Sequence, residues 1–259
     1  MDKEQKHFDS FVQMLSVFFS PREVLYIFEM GAKDCSDTLR FHRAFPLADI
    51  YTFECNQETL PICRKAVADI DKIHLTESAV SDVDGSVTFY PIDTAKTETR
   101  QADGNPGASS MFKSSGKYPA EKYVQKTTTV PSVRLETFMA KREIPGIDVL
   151  WLDTQGAELK ILQGLGKKLK TVRLIHTEVE FLDIYSGQPL WKDVKKFLTS
   201  NGFMFAGFTH KGKYFGDAVF VNKDVASFRG RMRRLAKLRY QEYSKRIKGI
   251  AGRYLIRGA

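Results

Sequence analysis

Apolar residues recur at helical spacing over 7–19, HFDSFVQMLSVFF, which predicts an entry helix ended near residues 20–21. The run EVLYIFEMG is short, apolar and closed by Gly31, the pattern of a buried parallel strand. A helix over 36–45 follows, with Ser36 or Asp37 placed to cap it. The run ADIYTFEC predicts a second strand ending in Glu54, and 57–70 a helix with Pro61 in an early turn. Residues 72–82 read as a third strand and 84–92 as another, with Asp84 and Gly85 as the turn.

Residues 93–126 break this rhythm. They are rich in Gly, Ser, Thr, Pro and charge, and a loop of that length in a compact domain is expected to be a lid, a binding loop or disorder. The pattern then resumes with a strand running into a helix over 127–144, and a strand, IDVLWLD, ending in Asp153. A helix over 156–169, a strand over 172–181 and a helix over 190–202 stopped by Gly202 come next. The runs FMFAGFTH and GDAVFVNK, joined by KGKYF, read as an antiparallel pair. Strand and helix alternate from 24 to about 200, so the chain is expected to be α/β, with a mostly parallel sheet and helices on both faces. Right-handed crossovers bring the strand ends Glu29, Glu54, Ser78, Ser81, Asp153 and Glu178 to one rim, where ligands bind in such sheets.

Composition adds little to the body and much to the tail. The 259 residues suit one large domain or a domain with an appendage, and the hydrophobic share of 42% leaves ample material for a core. Residues 223–259 hold 12 Lys/Arg against 2 Asp/Glu, so the net charge of +9 comes from this segment and the rest is nearly neutral. The division expected is an N-terminal helix over 1–22, a domain over 23–222 and a basic helical tail over 223–259. Phe228, Met232 and Leu235 share one face of that tail, which suits peripheral membrane contact or an anionic partner, or packing on the body or a second subunit. No apolar run reaches the roughly 18 residues of a membrane span, and the polar start lacks a secretory core, so a cytoplasmic location is expected. Cys35, Cys55 and Cys63 have no metal-ligand spacing, and no metal is assigned.

The rim carries the candidate chemistry. Gly31 would let backbone approach a ligand closely, and the helix after it offers free N–H groups. A dinucleotide site would show three spaced glycines for its pyrophosphate; here there is one, preceded by an acid. Glu29 would repel phosphate and pair with an ammonium, and Glu54 would accept ribose hydroxyls. An ammonium partner and a ribose partner without phosphate describe S-adenosylmethionine. The competing reading makes Gly31 a plain turn and Glu29 a solvated strand end.

The ordered set FEMGAKDCSDTL, IYTFECNQETL, ESAVSDVDGSVTF and VPSVRLETFM…IDVLWLDTQGAELKILQG resembles the FkbM methyltransferases, a family within the class I S-adenosylmethionine-dependent enzymes. The runs IHTEVEF and NGFMF fit as well, so the likeness spans roughly 24–222. It implies a Rossmann-like class I methyltransferase fold and places Glu29, Gly31, Ala32 and Ser36 at the cofactor's methionine end. Glu54, Cys55 and Asn56 would then surround the ribose, Ser78 and Ala79 the adenine, and Asp153 the sulfonium. The run GASSMF, with Ser109 and Ser110, resembles a loop that the family folds over the site, and the likeness implies that Ser109, Ser110 and Gln155 bind substrate. Lys33, Cys55 and Gln155 depart from residues common in the family; Gln155, where an acid is common, puts the substrate or mechanism in question.

Methyl transfer is a displacement that needs alignment above all, and an alcohol nucleophile gains from a base. Asp153, His176 and Glu178 are the candidate bases, with His176 and Glu178 on one face of their strand; a buried core role for His176 is the alternative. Glu158 is expected to cap or brace. The reaction expected is O-methylation of a sugar, glycan or small-metabolite hydroxyl. RNA methylation is the competing activity, suggested by the tail but without a Lys-Asp-Lys-Glu set, and a non-catalytic cofactor-binding scaffold is the third reading.

Overall fold

A computed structural model of the chain describes residues 3–224. The basic segment beyond Asp224 lies outside the described residues, and with it the expectations of an amphipathic tail helix and of membrane contact.

The main sheet is built from β1 (Tyr26–Met30), β2 (Asp49–Glu54), β3 (Ile73–Glu77), β7 (Ile147–Leu152), β8 (Val172–Glu180), β9 (Phe203–Lys211) and β10 (Phe215–Asn222). Their order is β3-β2-β1-β7-β8-β10-β9. Pairing is parallel from β3 through β8 and antiparallel for β10 against both neighbours, which closes the sheet as the sequence predicts. Strand order reverses between β1 and β7, so their carboxyl ends flank a crevice of the kind that holds ligands.

Both faces are covered. Phe8, Phe11 and Leu15 of α1 (Lys3–Leu15), Phe41 of α2 (Ser36–Ala44), and Cys63 and Val67 of α3 (Leu60–Val67) pack on one face with Ile27, Val149 and Leu174. On the other face, α4 (Leu135–Lys141), α5 (Glu158–Gly164) and α6 (Trp191–Ser200) pack on Phe28, Leu150 and Ile175. Because the sheet is buried on both sides, β7 reads as an unbroken apolar run after its first two residues, from Val149 to Leu152. The first helix is therefore part of the core and starts and ends earlier than its sequence pattern predicts. After Leu15 the chain turns, with the amides of Phe18 and Phe19 both donating to the Leu15 carbonyl at 2.8 and 3.0 Å.

A single third strand over 72–82 does not form. The Ser78 amide bonds back to the Thr76 carbonyl at 3.0 Å, and this turn carries the chain out of the main sheet. The next residues, β4 (Ala79–Val80), pair with β6 (Thr128–Val133), which also pairs with β5 (Gly85–Phe89) in a separate sheet of three strands. The long segment between β5 and β6 is pinned: isolated bridges tie Tyr90 to Ser110, Ile92 to Gln125, Glu98 to Lys122 and Ser114 to Tyr185.

Candidate active site

The corner after β1 winds tightly, with Gly31, Lys33 and Cys35 all in the left-handed region. Five of its amides are consumed internally. Gly31 and Ala32 donate to the Phe53 carbonyl, Cys35 to Ala32, Lys33 to Glu54 and Ser36 to Asp34. Gly31 itself answers to a backbone contact: a β-carbon there would lie 2.0 Å from the Asp153 carbonyl oxygen. The turn is glycine because two strand ends meet there, and these five engaged N–H groups are not free to cradle a phosphate.

A cleft of about 580 Å³, counted to its open mouth, sits at the switch point between β1 and β7. Gly31, Glu54, Cys55, Asn56, Ser78, Ala79 and Asp153, all singled out from sequence, line it. The small sheet supplies one wall. Cys55, Ala79 and Phe89 form an apolar cluster with Met111 packed against it, and Phe89 and Met111 also face the cleft.

Glu54 anchors the floor. Its Oε1 accepts the amides of Cys55 and Asn56 at 2.8 and 2.7 Å, and its Oε2 accepts that of Lys33 at 2.7 Å. Burial raises this carboxyl and the three amides pull it back toward the charged form.

Three residues placed at the methionine end stand elsewhere. Glu29 belongs to the rim by its backbone, but its side chain turns beneath the cleft and is 1% exposed. There it accepts the hydroxyls of Thr38, on α2, and Thr52, its cross-strand neighbour on β2 at 2.8 Å. Burial holds it protonated well above the ordinary carboxylate range. Ala32 packs into the core, and Ser36 opens α2; neither is among the residues that line the cleft.

Asp153 lines the far wall, and behind it Gln155 and Glu178, which are not among the residues that line the cleft, draw the acids together. Gln155, in the turn after β7, donates from Nε2 to Asp153 Oδ1 and to Glu178 Oε2, each at 2.8 Å. Asp153 stands exposed at the strand end and Glu178 is half-buried; desolvation by the surrounding chain raises both carboxyls, and Asp153 raises Glu178 further. Glu158 braces this turn, accepting the Thr154 amide and hydroxyl at 3.0 and 2.9 Å, and burial pushes it to about 7. His176 does not join them. It lies beneath, stacked on Trp151 at 3.6 Å between centroids with Phe11 edge-on, its Nε2 3.0 Å from the Thr209 hydroxyl. Burial lowers it to about 3, so it is neutral across the physiological range.

The lid expectation meets a built structure. Pro106, Gly107, Ser109 and Met111 cover the cleft. Ser109 Oγ donates to the Pro106 carbonyl at 2.7 Å and accepts the Ile92 amide at 3.0 Å, and Ser110 Oγ donates to the Gln155 carbonyl at 2.7 Å. Both hydroxyls staple the loop to the site. Residues that the sequence reading did not assign also take part. Lys33 pairs with Asp103 of the loop at 3.1 Å, and Tyr185 sends its hydroxyl to the Ala108 carbonyl at 2.8 Å and to Gln155 Oε1 at 3.0 Å. A lysine in a corner and a tyrosine in a loop carry no periodic signal; only their partners reveal them.

Among the described residues no helix is long and apolar enough to cross a membrane. The catalytic domain of METTL16 superposes with a TM-score of 0.50 at 8% identity, covering 86% of this chain and 70% of that one. The FkbM methyltransferase of Methylobacillus flagellatus KT gives 0.49 at 9% identity, covering 78% and 44%. In sequence, the 2-O-methyltransferase NoeI of Sinorhizobium fredii is 27% identical over 176 residues, 68% of this chain and 71% of that protein. The model of the methyltransferase FkbM domain matches residues 29–205. The chain belongs to the FkbM methyltransferases, a family of S-adenosylmethionine-dependent enzymes.

Proposed function

We propose that this enzyme methylates a hydroxyl of a sugar, glycan or small metabolite, with S-adenosylmethionine bound in the cleft between β1 and β7. The observation that carries the reading is the layout of acids: an amide-anchored carboxylate, Glu54, at the floor, and Asp153 at the far wall, linked through Gln155 to Glu178 behind it. The residues present fit the cofactor. Glu54 Oε2 accepts the Lys33 amide and keeps acceptor capacity for a ribose hydroxyl. Cys55, Ala79, Phe89 and Met111 offer an apolar seat to a purine. The spent amides of the corner suit a nucleoside without phosphate. Glu29 is withdrawn from the cleft and is assigned no contact with the cofactor.

The bound cofactor supplies an electrophilic methyl group. The chain's task is to hold an acceptor oxygen in line and to receive its proton. Desolvation and mutual charge raise the Asp153–Glu178 pair, which makes it a better proton acceptor than a fully solvated carboxylate once ionised. His176 is walled off in the core and takes no part. The hydroxyl acceptor draws on the O-methyltransferase relative.

The reading is tested by incubating the full chain with S-adenosylmethionine and a panel of methyl glycosides, small alcohols and RNA, and following S-adenosylhomocysteine. Release dependent on a glycoside or alcohol is expected. Release with RNA alone would overturn the acceptor class.

A further inference from the structure

Gln155 sits where its turn leaves no latitude. Its φ of 54° is left-handed, the Ser110 hydroxyl holds its carbonyl at 2.7 Å, and the Tyr185 hydroxyl lies 3.0 Å from its Oε1. A carboxamide has two N–H donors, and here one goes to Asp153 and the other to Glu178. The flipped amide would set its oxygen against both carboxylates and turn its nitrogen to the tyrosine. An acid at this position would place three carboxyls within hydrogen-bond reach of one another and could offer at most one proton between the other two.

We propose that Gln155 is a positioning residue for methyl transfer: its amide nitrogen clamps Asp153 and Glu178 together as ionised acceptors while itself touching neither substrate nor cofactor. The inference rests on the reading of these two acids as the proton acceptors. Residue 155 thus decides how many negative charges the far wall holds and where the two reactive ones point. The charged groups facing the pair are Lys33 from the corner, Asp37 from α2, Glu158 from α5, Glu180 on β8 and Asp217 on β10. Lys33 is the cation in that set, so the amide donors matter. Each hydrogen bond to a carboxylate favours its charged form, and burial among like charges opposes it.

The test is a carboxyl NMR titration of the full chain labelled with carbon-13 in Asp and Glu side chains. Asp153→Asn and Glu178→Gln assign the two signals. Gln155→Leu, which removes both donors at similar volume, is expected to move both titrations to higher pH. Gln155→Glu adds a like charge and is expected to move them by about one unit or more. Titrations unchanged from wild type in both variants, or a downward move in Gln155→Leu, would overturn the clamp. A purely structural Gln155 would lower the melting temperature and leave both titrations in place. If Gln155→Glu does not fold, Gln155→Leu decides alone. Calorimetry with S-adenosylmethionine runs alongside: failure of the wild type to bind would count against the proposed function, whereas the titration tests the clamp without any cofactor or acceptor.

Discussion

Gly31 and Asp153 touch through their backbones: a β-carbon on the glycine would lie 2.0 Å from the aspartate's carbonyl oxygen, and Gly31 has a φ of 85°. The contact joins the ends of β1 and β7, the two strands that flank the switch point. Gly31→Ala must relieve the clash by moving one strand end, and it adds a left-handed alanine that costs about 1–2 kcal/mol by itself. The expected result is a melting temperature lower by about 5 °C or more, since about 1 kcal/mol corresponds to 2–4 °C in a domain of this size. A variant melting within a degree of wild type would show that the corner is soft.

Glu54 gathers three backbone amides from two sides of the cleft, so its charge is structural as well as ligand-facing. Glu54→Gln keeps one acceptor oxygen and turns an NH2 toward amides that are themselves donors. Charge-assisted bonds contribute about 1.5–3 kcal/mol, which predicts S-adenosylmethionine binding weaker by roughly 10- to 100-fold. Calorimetry on folded protein reads this directly; an unchanged dissociation constant would move the ribose away from this acid.

Glu29 faces the opposite way, into Thr38 and Thr52. The sequence pattern places Glu29 at the cofactor's methionine end; its buried side chain points to a role in stability instead. Removing the carboxyl strands two buried hydroxyls and opens a cavity, for a loss of about 2–4 kcal/mol. Its pH signature is distinctive. The folded carboxyl keeps its proton above the unfolded value of 4.5, so the folded state binds the extra proton and stability falls as pH rises from there. Glu29→Gln is expected to flatten that decline while still binding cofactor, and a matched pair of denaturation series from pH 4.5 to 8 checks it.

The parts legible in the sequence are those that local pattern dictates. Parallel strands buried on both faces must read as apolar runs, so β1, β2, β7 and β8 stand out, and with them the rim of strand ends where the cleft lies; the strand order that sets the switch point does not. Glu54 and Asp153 follow as the residues ending two of these runs. The direction of a side chain at a strand end is a finer matter. Glu29 shares its face with Ile27, which packs under α2, and alternation alone points it away from the cleft. The excursion into a second sheet rests on a two-residue strand, too short for any periodicity. Lys33, Tyr185 and the stapling roles of Ser109 and Ser110 depend on partners distant in sequence, which composition cannot display.

His176 gives a slope of the opposite sign. Burial lowers it from 6.5 to about 3, so the unfolded chain binds a proton that the folded chain refuses, and stability is lost as pH falls through that window. One such group contributes at most about 1.4 kcal/mol per pH unit. His176→Phe keeps an aromatic ring against Trp151 and is expected to remove this acid sensitivity while retaining turnover. A fall in kcat beyond roughly tenfold at equal folded fraction would return the histidine to the reaction.

Asp153→Asn isolates charge from shape. An asparagine oxygen can still accept the Gln155 amide, so the turn after β7 and the seat of Glu178 are preserved. What is lost is the capacity to hold a proton from the acceptor hydroxyl. General-base contributions run to about 100- to 10,000-fold, so kcat is expected to fall by at least about 100-fold while the dissociation constant for S-adenosylmethionine stays within about tenfold. Glu178→Gln supplies the comparison. If the two acids work as one proton-accepting unit, the double variant should lose little more than the worse single one. If each only orients the acceptor, the singles should raise KM more than they lower kcat and their effects should multiply. Single-turnover methyl transfer across the four proteins separates the two cases, because product release does not enter the rate that is read.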